Sequence, residues 1–237
     1  MHTPLPVAPS LVSLAALCLV LALACGGSGP SQAPQGAASP VIPTPQTTST
    51  VQALPFSATD LPPGVPFKGV VVDGARFQDK NGDNLILLTR VAPFKVKRQP
   101  LDDNQPYDAE LYGHHFVQKD GGWEPLWTIR DFERNCTFDI TCDFVAGSLE
   151  ITDLDQDGLA ESWFLYRTAC RSDLSPATQK LLMHEGATKY ALRGLARIDV
   201  EGESYGGEYT VDAAFNGAPS AFLAGAKARW ERFVLEG

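Results

Sequence analysis

Charge is missing from the first quarter of the chain: residues 1–59 contain no Asp, Glu, Lys or Arg. Long apolar runs are scarce too, since the run over residues 11–24 falls short of the roughly 20 apolar residues of a membrane-spanning helix. The chain also lacks a serine nucleophile elbow, a phosphate-binding loop, an HExxH pair and a dinucleotide fingerprint. These absences remove the enzyme classes that such motifs mark, and we predict no catalytic residue.

The run over residues 11–24 instead matches the apolar core of a secretory signal peptide. Ala24 is the small residue that precedes the cleavage site of bacterial lipoprotein signals, and Cys25 follows it. We expect residues 1–24 to be a signal peptide and Cys25 to be the lipidated first residue of the mature chain. Acyl chains anchor a protein firmly, because each buried methylene contributes about 0.8 kcal/mol. The predicted location is the cell envelope, at the outer membrane or the cell surface.

Residues 25–63 are rich in Gly, Ser, Pro, Gln, Ala and Thr. Such a segment buries too little apolar surface to offset the entropy of ordering it, so we predict a disordered tether. Its prolines favour extended conformations, which would hold a folded domain away from a membrane. Residues 64–237 are numerous enough to form a single domain with its own core.

The formal net charge is −9, and every charged residue lies from Asp60 onward. An acidic domain does not hold nucleic acid or an anionic bilayer by charge. It suits cations, or neutral partners such as glycans. We therefore expect a membrane contact through the lipid anchor, a surface glycan or envelope protein as partner, and no nucleic acid.

Three cysteines lie in the predicted domain: Cys136, Cys142 and Cys170. In an exported protein this number favours one disulfide and one remaining thiol, although the two arginines beside Cys170 would also suit a reactive thiol. Three pairings are possible, and the sequence does not choose among them. The pair Cys136–Cys170, which we take as our expectation, would tie together segments on either side of residues 153–161.

The β signals fall into two similar halves. The first half has hairpin turns at residues 79–84 and 119–122, and the second half has them at 153–161 and 185–187. We predict a mainly β fold with two four-stranded antiparallel meanders that resemble propeller blades. Two blades cannot close a propeller, so the meanders should pack face to face or form one curved sheet.

The chain ends in a helical pattern. Pro219 suits the first turn of a helix, and apolar residues then recur at helical spacing. The apolar stripe consists of Phe222, Leu223, Ala226, Trp230, Phe233 and Val234. We expect this amphipathic C-terminal helix to cover a face or an edge of a sheet.

The most informative stretch is residues 153–161, the acidic loop, which has the pattern D-x-D-x-D-G-x-x-E. Hard cations such as Ca²⁺ bind several oxygens at once, and a tight turn can supply them from side chains and backbone together. An EF-hand is excluded because its closing glutamate would fall on Phe164, whereas the shorter loop of calcium-binding propeller repeats is similar. We predict a structural Ca²⁺ site formed by the side chains of Asp153, Asp155, Asp157 and Glu161 and the carbonyl of Leu159.

The alternative for the acidic loop is an Asx-rich turn without a metal. Four like charges in one turn repel one another, so a loop without a cation would be destabilised or would hold carboxyls with raised pKa values. When Gly82 is laid on Gly158, the turn at 79–84 aligns with the loop and Asp79 falls on Asp155. This turn lacks the closing acid, and we predict a hairpin turn without metal there.

His114 and His115 are adjacent on a predicted strand. Successive side chains of a strand point to opposite faces, so the two imidazoles cannot easily share a metal. We expect both to have a packing or surface role.

Several segments of the domain occur in a characteristic order. They are WTIRDF at 127–132, NCTFD at 135–139, ITDLDQDGLAE at 151–161, CRSDLSP at 170–176, KYALRG at 189–194 and GEYT at 207–210, followed by the helix after Pro219. From about residue 68 onward, this order resembles the bacterial cell-surface proteins known as surface polysaccharide biosynthesis proteins. The resemblance implies a part in making or displaying surface polysaccharide, and it carries over no catalytic residues.

The expected function is that of a non-catalytic surface lipoprotein whose Ca²⁺-stabilised β domain supports surface polysaccharide assembly or binds glycan. One alternative is an envelope glycan hydrolase, which would need two carboxylates about 5–9 Å apart in a pocket lined by Trp123, Trp127 or Trp163. Another is a protein-interaction module that uses the terminal helix or an exposed sheet edge.

Overall fold

The structure, a computed structural model, describes residues 51–59, 61–97 and 105–236. The predicted signal peptide, Cys25 and most of the predicted tether lie outside the described residues. The strands are β1 (Gln52–Leu54), β2 (Val70–Asp79), β3 (Gly82–Lys95), β4 (Tyr107–Lys119), β5 (Gly122–Cys136), β6 (Asp139–Phe144), β7 (Glu150–Thr152), β8 (Glu161–Arg171), β9 (Thr178–Glu185), β10 (Thr188–Leu195), β11 (Arg197–Val200), β12 (Glu203–Gly206) and β13 (Tyr209–Val211). A short 3₁₀ helix, Ala213–Phe215, precedes the helix α1, Ser220–Phe233.

The strands form two main antiparallel sheets. Sheet A has the order β1-β2-β3-β4-β5, and sheet B has the order β13-β10-β9-β8-β6, with β7 also paired to β8. Strands β11 and β12 form a separate ribbon. The predicted mainly β fold is confirmed. The two predicted meanders correspond to β2–β5 and β7–β10, and each sheet gains strands at its edges: β1 on sheet A, and β6 and β13 on sheet B.

The two sheets pack face to face, which is one of the two predicted arrangements. Ile86 and Leu88 of sheet A share a buried cluster with Phe164 and Leu182 of sheet B. The alternate residues of the same strands face outward and are buried as well, so apolar runs such as residues 85–88 are continuous. A strand that is covered on both faces has no polar side, which explains the lack of alternation in these segments.

Helix α1 covers the outer face of sheet B, as predicted. Its Phe222, Ala226 and Trp230 pack with Leu181 and Met183 in a second buried cluster. Burying one large apolar side chain contributes about 1.5–3 kcal/mol, so this layer is a main source of the stability of sheet B. In the described part of the chain, no helix has both the length and the apolar character needed to cross a membrane.

The ordered domain begins before residue 64, so the predicted extent of the disordered tether, 25–63, is wrong at its C-terminal end. Strand β1 pairs with β2, and Phe56 and Leu61 pack against the outer face of sheet A. Phe56 lies so close to Gly74 that a Cβ there would fall 2.3 Å from its ring. The prediction was based on the average composition of the segment, which is polar and rich in Pro and Gly. It did not take into account the few apolar residues that pack on the outer face of sheet A.

A disulfide joins Cys136, the last residue of β5, to Cys170 near the end of β8. It therefore connects sheet A to sheet B, and the expected pairing is confirmed. Cys142 is a free, buried thiol, and burial raises its pKa to about 12. Such a thiol stays protonated and unreactive at neutral pH.

Candidate cation site

The acidic loop connects β7 to β8, whose pairing places Thr152 opposite Glu161. The loop backbone reverses with positive φ at Gln156 (61°) and Gly158 (84°). At Gly158 this conformation costs little, since glycine has no Cβ to clash with the backbone. The local sequence therefore folds into a tight turn between two paired strands.

Two aspartates of the loop accept hydrogen bonds from the backbone two residues further on. Asp155 Oδ1 accepts the N–H of Asp157 at 3.3 Å, and Asp157 Oδ1 accepts the N–H of Leu159 at 2.7 Å. These are Asx turns, which hold both carboxylates in fixed directions. Each carboxylate keeps a second oxygen that can face a ligand.

Five carboxylates come together around this loop in two overlapping groups of three. In the first group, Asp153, Asp155 and Glu161 each offer an oxygen, and these oxygens lie within 4.8 Å of one another. Asp155, Asp157 and Glu185 form the second group by the same measure. We call the five residues the carboxylate cluster. Asp155 belongs to both groups and is its centre.

The structure thus brings together three of the predicted metal ligands and places Asp157 in the neighbouring group. Leu159 lies next to the cluster, with its N–H bonded to Asp157. Glu185 is the residue that sequence reasoning missed. It lies on β9 directly opposite Glu161 of β8. The register of the β8–β9 hairpin is the signal that would have found it.

Glu161 is fully buried and held in place by its neighbours. The Thr152 hydroxyl donates to Glu161 Oε2 at 2.5 Å, and the Leu154 N–H lies 3.0 Å from both carboxylate oxygens. Burial raises the pKa of Glu161, and these hydrogen bonds offset part of that effect. Thr152 Oγ1 in turn accepts the indole N–H of Trp163 at 2.7 Å. The carboxylate is therefore oriented before any ligand arrives.

Glu185 has the most perturbed carboxyl of the cluster. Burial, and then the charges of the four other members, raise its pKa to about 7. Within residues 51–59, 61–97 and 105–236, none of the five carboxylates forms an ion pair with Lys or Arg. A group of oxygen donors without a protein cation suits a hard divalent ion such as Ca²⁺, whereas zinc sites use His or Cys.

The turn between β2 and β3 docks directly on the acidic loop. The Lys80 N–H donates to the Gly158 carbonyl at 2.9 Å, and the Ala160 N–H donates to Asp79 Oδ2 at 3.2 Å. Asp79 Oδ1 also accepts hydrogen bonds from the Asn81 N–H and the Asn84 amide. The predicted hairpin turn at 79–84 is present, and it buttresses the loop from sheet A.

The two adjacent histidines are buried on opposite faces of β4, as the strand periodicity predicts. His115 Nε2 lies 2.8 Å from Asn84 Oδ1, and its ring makes an edge contact with Trp127 between the sheets. His114 stacks on Tyr112 on the other face. Burial lowers the pKa of His115 to about 4, so its imidazole is neutral at physiological pH. The predicted packing role is confirmed for both.

Helix α1 is linked to the strands that flank the acidic loop. The Arg229 guanidinium lies 4.2 Å from the ring of Trp163. Trp163 follows Glu161 by two residues on β8 and lies on the outer face of sheet B, beneath α1. Arg229 and Arg232 also form ion pairs with Glu150 of β7, at 2.7 and 2.6 Å. The helix is therefore tied to both strands that flank the acidic loop.

In comparisons with known proteins, no family model, no curated protein and no solved structure matches this chain. The assignment of a function therefore depends on the residues and the geometry described above.

Proposed function

We propose that this chain is a non-catalytic protein of the cell envelope whose β domain is stabilised by Ca²⁺ and supports surface polysaccharide assembly or binds glycan. The carboxylate cluster carries the proposal. Its five acids converge on one corner of the fold, and no Lys or Arg of the described residues forms an ion pair with them. Burial, and then the charges of the other four acids, raise the pKa of Glu185, and a divalent cation would remove the second of these effects.

The position of the cluster supports a structural role for the ion. The acidic loop joins β7 to β8, Glu185 belongs to β9, and Asp79 brings the β2–β3 turn of sheet A against the loop. An ion at this corner would fix three strands of sheet B where sheet A touches them.

An extracytoplasmic location is consistent with the residues on which the proposal draws. The disulfide Cys136–Cys170 suits an oxidising compartment. Calcium sites of extracellular modules have dissociation constants of roughly 10⁻⁴–10⁻³ M, a range that calcium outside the cytoplasm can fill. The lipid anchor at Cys25 and the part in surface polysaccharide biosynthesis come from the sequence alone and belong to the proposal.

The hydrolase alternative finds no support in the cavities of the described residues. One cavity of about 500 Å³ is lined by four acids, Asp173, Asp199, Glu201 and Glu236, but by no tryptophan. Trp163 is fully buried beneath α1, and Trp127 stacks on His184 between the sheets. Two of the three candidate tryptophans are therefore occupied by packing. The third, Trp123, is partly buried on the outer face of sheet A, where Arg76 lies 5.7 Å from its ring.

Thermal unfolding of the purified full chain in EDTA and in millimolar Ca²⁺ tests the calcium part. At a calcium concentration a hundred times the dissociation constant, binding to the folded state alone adds about 2.7 kcal/mol to the free energy of unfolding. Mg²⁺ at the same concentration should give a smaller shift, because it requires a tighter octahedral site. An unchanged melting temperature would remove calcium from the proposal.

The polysaccharide part has its own test. A deletion strain should show an altered surface polysaccharide, measured as the glycan profile of extracted envelope material. Complementation with the wild-type chain should restore it. An unchanged profile in the deletion strain would overturn this part and leave the calcium result standing.

A further inference from the structure

A second charged site lies on the inner face of sheet B, where it meets strand β5, the edge strand of sheet A. Across β8, β9 and β10, the register places Tyr166 opposite Lys180, and Lys180 opposite Arg193. One step along the same face, Leu182 and Ala191 are buried in the core between the sheets. Along the inner face of sheet B, the side chains therefore change from apolar in the core to basic at the edge of the sandwich.

A cavity of about 240 Å³ opens at this edge. Its polar lining consists of Arg130, Asp131, Tyr166, Lys180, Lys189 and Arg193. We call it the basic cleft. The side chains of three cations, Lys180, Lys189 and Arg193, and one carboxylate, Asp131, face it, although the chain as a whole has a net charge of −9. The Arg130 guanidinium lies instead on the outer face of sheet A, over the rings of Tyr112 and Phe132. Such a local reversal of charge attracts anions to a surface that otherwise repels them.

The internal partners of these cations do not fully neutralise them. Lys180 Nζ and the Tyr166 hydroxyl both donate to Asp131 Oδ2, at 2.5 and 2.8 Å. Arg193 pairs with Asp212 at 2.9 Å. Lys189 is exposed, and in the described part of the chain it forms no ion pair. It is the cation that is free to meet a ligand.

We propose that the basic cleft binds the carboxylate of an acidic saccharide, with room for about one uronic acid residue. Lys189 and Arg193 would hold the carboxylate through charge-assisted hydrogen bonds. Asp131 would accept hydrogen bonds from sugar hydroxyls, which a site for a simple anion does not need. This inference deepens the proposed link to glycan by naming the class of ligand.

A phosphate group fits the same cleft less well. Asp131 would repel a dianion more strongly than a single carboxylate. Phosphate sites also commonly use a helix N-terminus, and α1 packs on the opposite face of sheet B. The cavity volume lies below the roughly 300–1,000 Å³ of pockets for drug-sized ligands, so one sugar ring is a suitable occupant.

The basic cleft and the carboxylate cluster lie on opposite faces of one hairpin. Lys189 of β10 pairs with His184 of β9, so both are on the inner face, whereas the next residue, Glu185, points outward. Saccharide binding should therefore depend little on calcium. Failure of the calcium proposal and failure of this inference can be told apart for that reason.

Isothermal titration calorimetry of the full chain with digalacturonic acid tests the inference, in EDTA and again in Ca²⁺. The Lys189→Gln variant should bind about tenfold more weakly, the usual effect of losing one charge-assisted contact. Lys119→Gln is the matched control, because Lys119 is an exposed lysine at the β4–β5 turn and does not line the cavity. Its affinity should equal that of the wild type.

Three results would overturn the inference: no heat of binding for the wild type, equal loss in both variants, or tighter binding of inorganic phosphate than of the uronate. A neutral disaccharide, galactobiose, should bind at least tenfold more weakly than digalacturonic acid. Lys189→Glu provides a second variant at the same exposed site and should abolish binding. Melting temperatures of all variants would verify that they are folded.

If uronate binds while the deletion strain has a normal glycan profile, the proposed ligand class is kept and the proposed role in surface polysaccharide is overturned.

Discussion

The β2–β3 turn and the acidic loop share alternating Asx residues and a glycine, but they balance their charges differently. In the first turn, Asp83 pairs with Arg76 and accepts a hydrogen bond from Gln78, and Asp79 receives three N–H donors. The acidic loop has no such cationic partner among the described residues, and Glu185 of β9 adds a further negative charge.

The comparison shows that turn geometry alone does not fix the charge balance of a loop. Both turns use Asx hydrogen bonds to reverse the chain, and both lie at the same corner of the sandwich. The difference is the number of carboxylates that remain unpaired once the fold has formed. A protein cation serves the first turn, and a metal ion would serve the second.

The largest effect is expected from Asp155→Asn, because Asp155 belongs to both groups of the carboxylate cluster. The amide oxygen can still accept the Asp157 N–H, so the turn should form. The variant should lose most of the calcium-induced gain, on the order of 2 kcal/mol at a hundredfold excess over the dissociation constant. In EDTA it should be at least as stable as the wild type. Thermal melts with and without Ca²⁺ measure both, and a full calcium shift in the variant would contradict the model of the site.

A smaller effect is expected from Asp79→Asn, the same change at the aligned position of the first turn. The Asn84 amide and the Ala160 N–H donate to different oxygens of Asp79, so an amide group would leave one donor without an acceptor. We expect a loss of about 1 kcal/mol, equal in EDTA and in Ca²⁺. Urea denaturation under both conditions checks this. A loss that appears only in EDTA would mean that the turn belongs to the cation site.

The smallest effect is expected from Glu185→Gln. The pKa of Glu185 is raised from 4.5 to about 7 in the folded state, so the folded chain holds this proton more tightly than the unfolded chain. The free energy of unfolding in EDTA should therefore fall as the pH rises from about 4.5 to 7. The glutamine variant should show a shallower fall and be more stable than the wild type at pH 8. Glu185 is partly exposed, so solvent screening should reduce the gain from the roughly 3 kcal/mol of an unscreened shift to about 0.5 kcal/mol.

Urea denaturation across this pH range, in EDTA, gives the measurement for Glu185→Gln. Glu161 also has a raised pKa, so some slope should remain in the variant. If the free energy of unfolding has the same pH dependence in the wild type and the variant, Glu185 does not interact with the acidic loop.

Saturating Ca²⁺ should reduce the pH dependence of the wild-type free energy of unfolding, because the ion favours the ionised carboxylates.

Sequence reasoning worked where the signal was local. Hairpin turns, the apolar stripe after Pro219 and the alternation at His114 and His115 all depend on neighbours within a few residues, and the structure contains each of them. It failed at residues 52–63, where composition predicted a tether. Phe56 and Leu61 are ordered because they bury apolar surface against the outer face of sheet A. That face exists only after the sheet has formed.

The same distinction applies to the two sites. Four acids lie close together in the sequence at Asp153, Asp155, Asp157 and Glu161. The amino-acid order by itself therefore determined that they would share one turn. Tertiary structure alone decided that Glu185 and Asp79 would join that corner, and that basic residues of β9 and β10 would line one cleft. The physical reason is that strand register and sheet packing are set by the burial of whole apolar faces, a property of the assembled sandwich that no short stretch of chain contains.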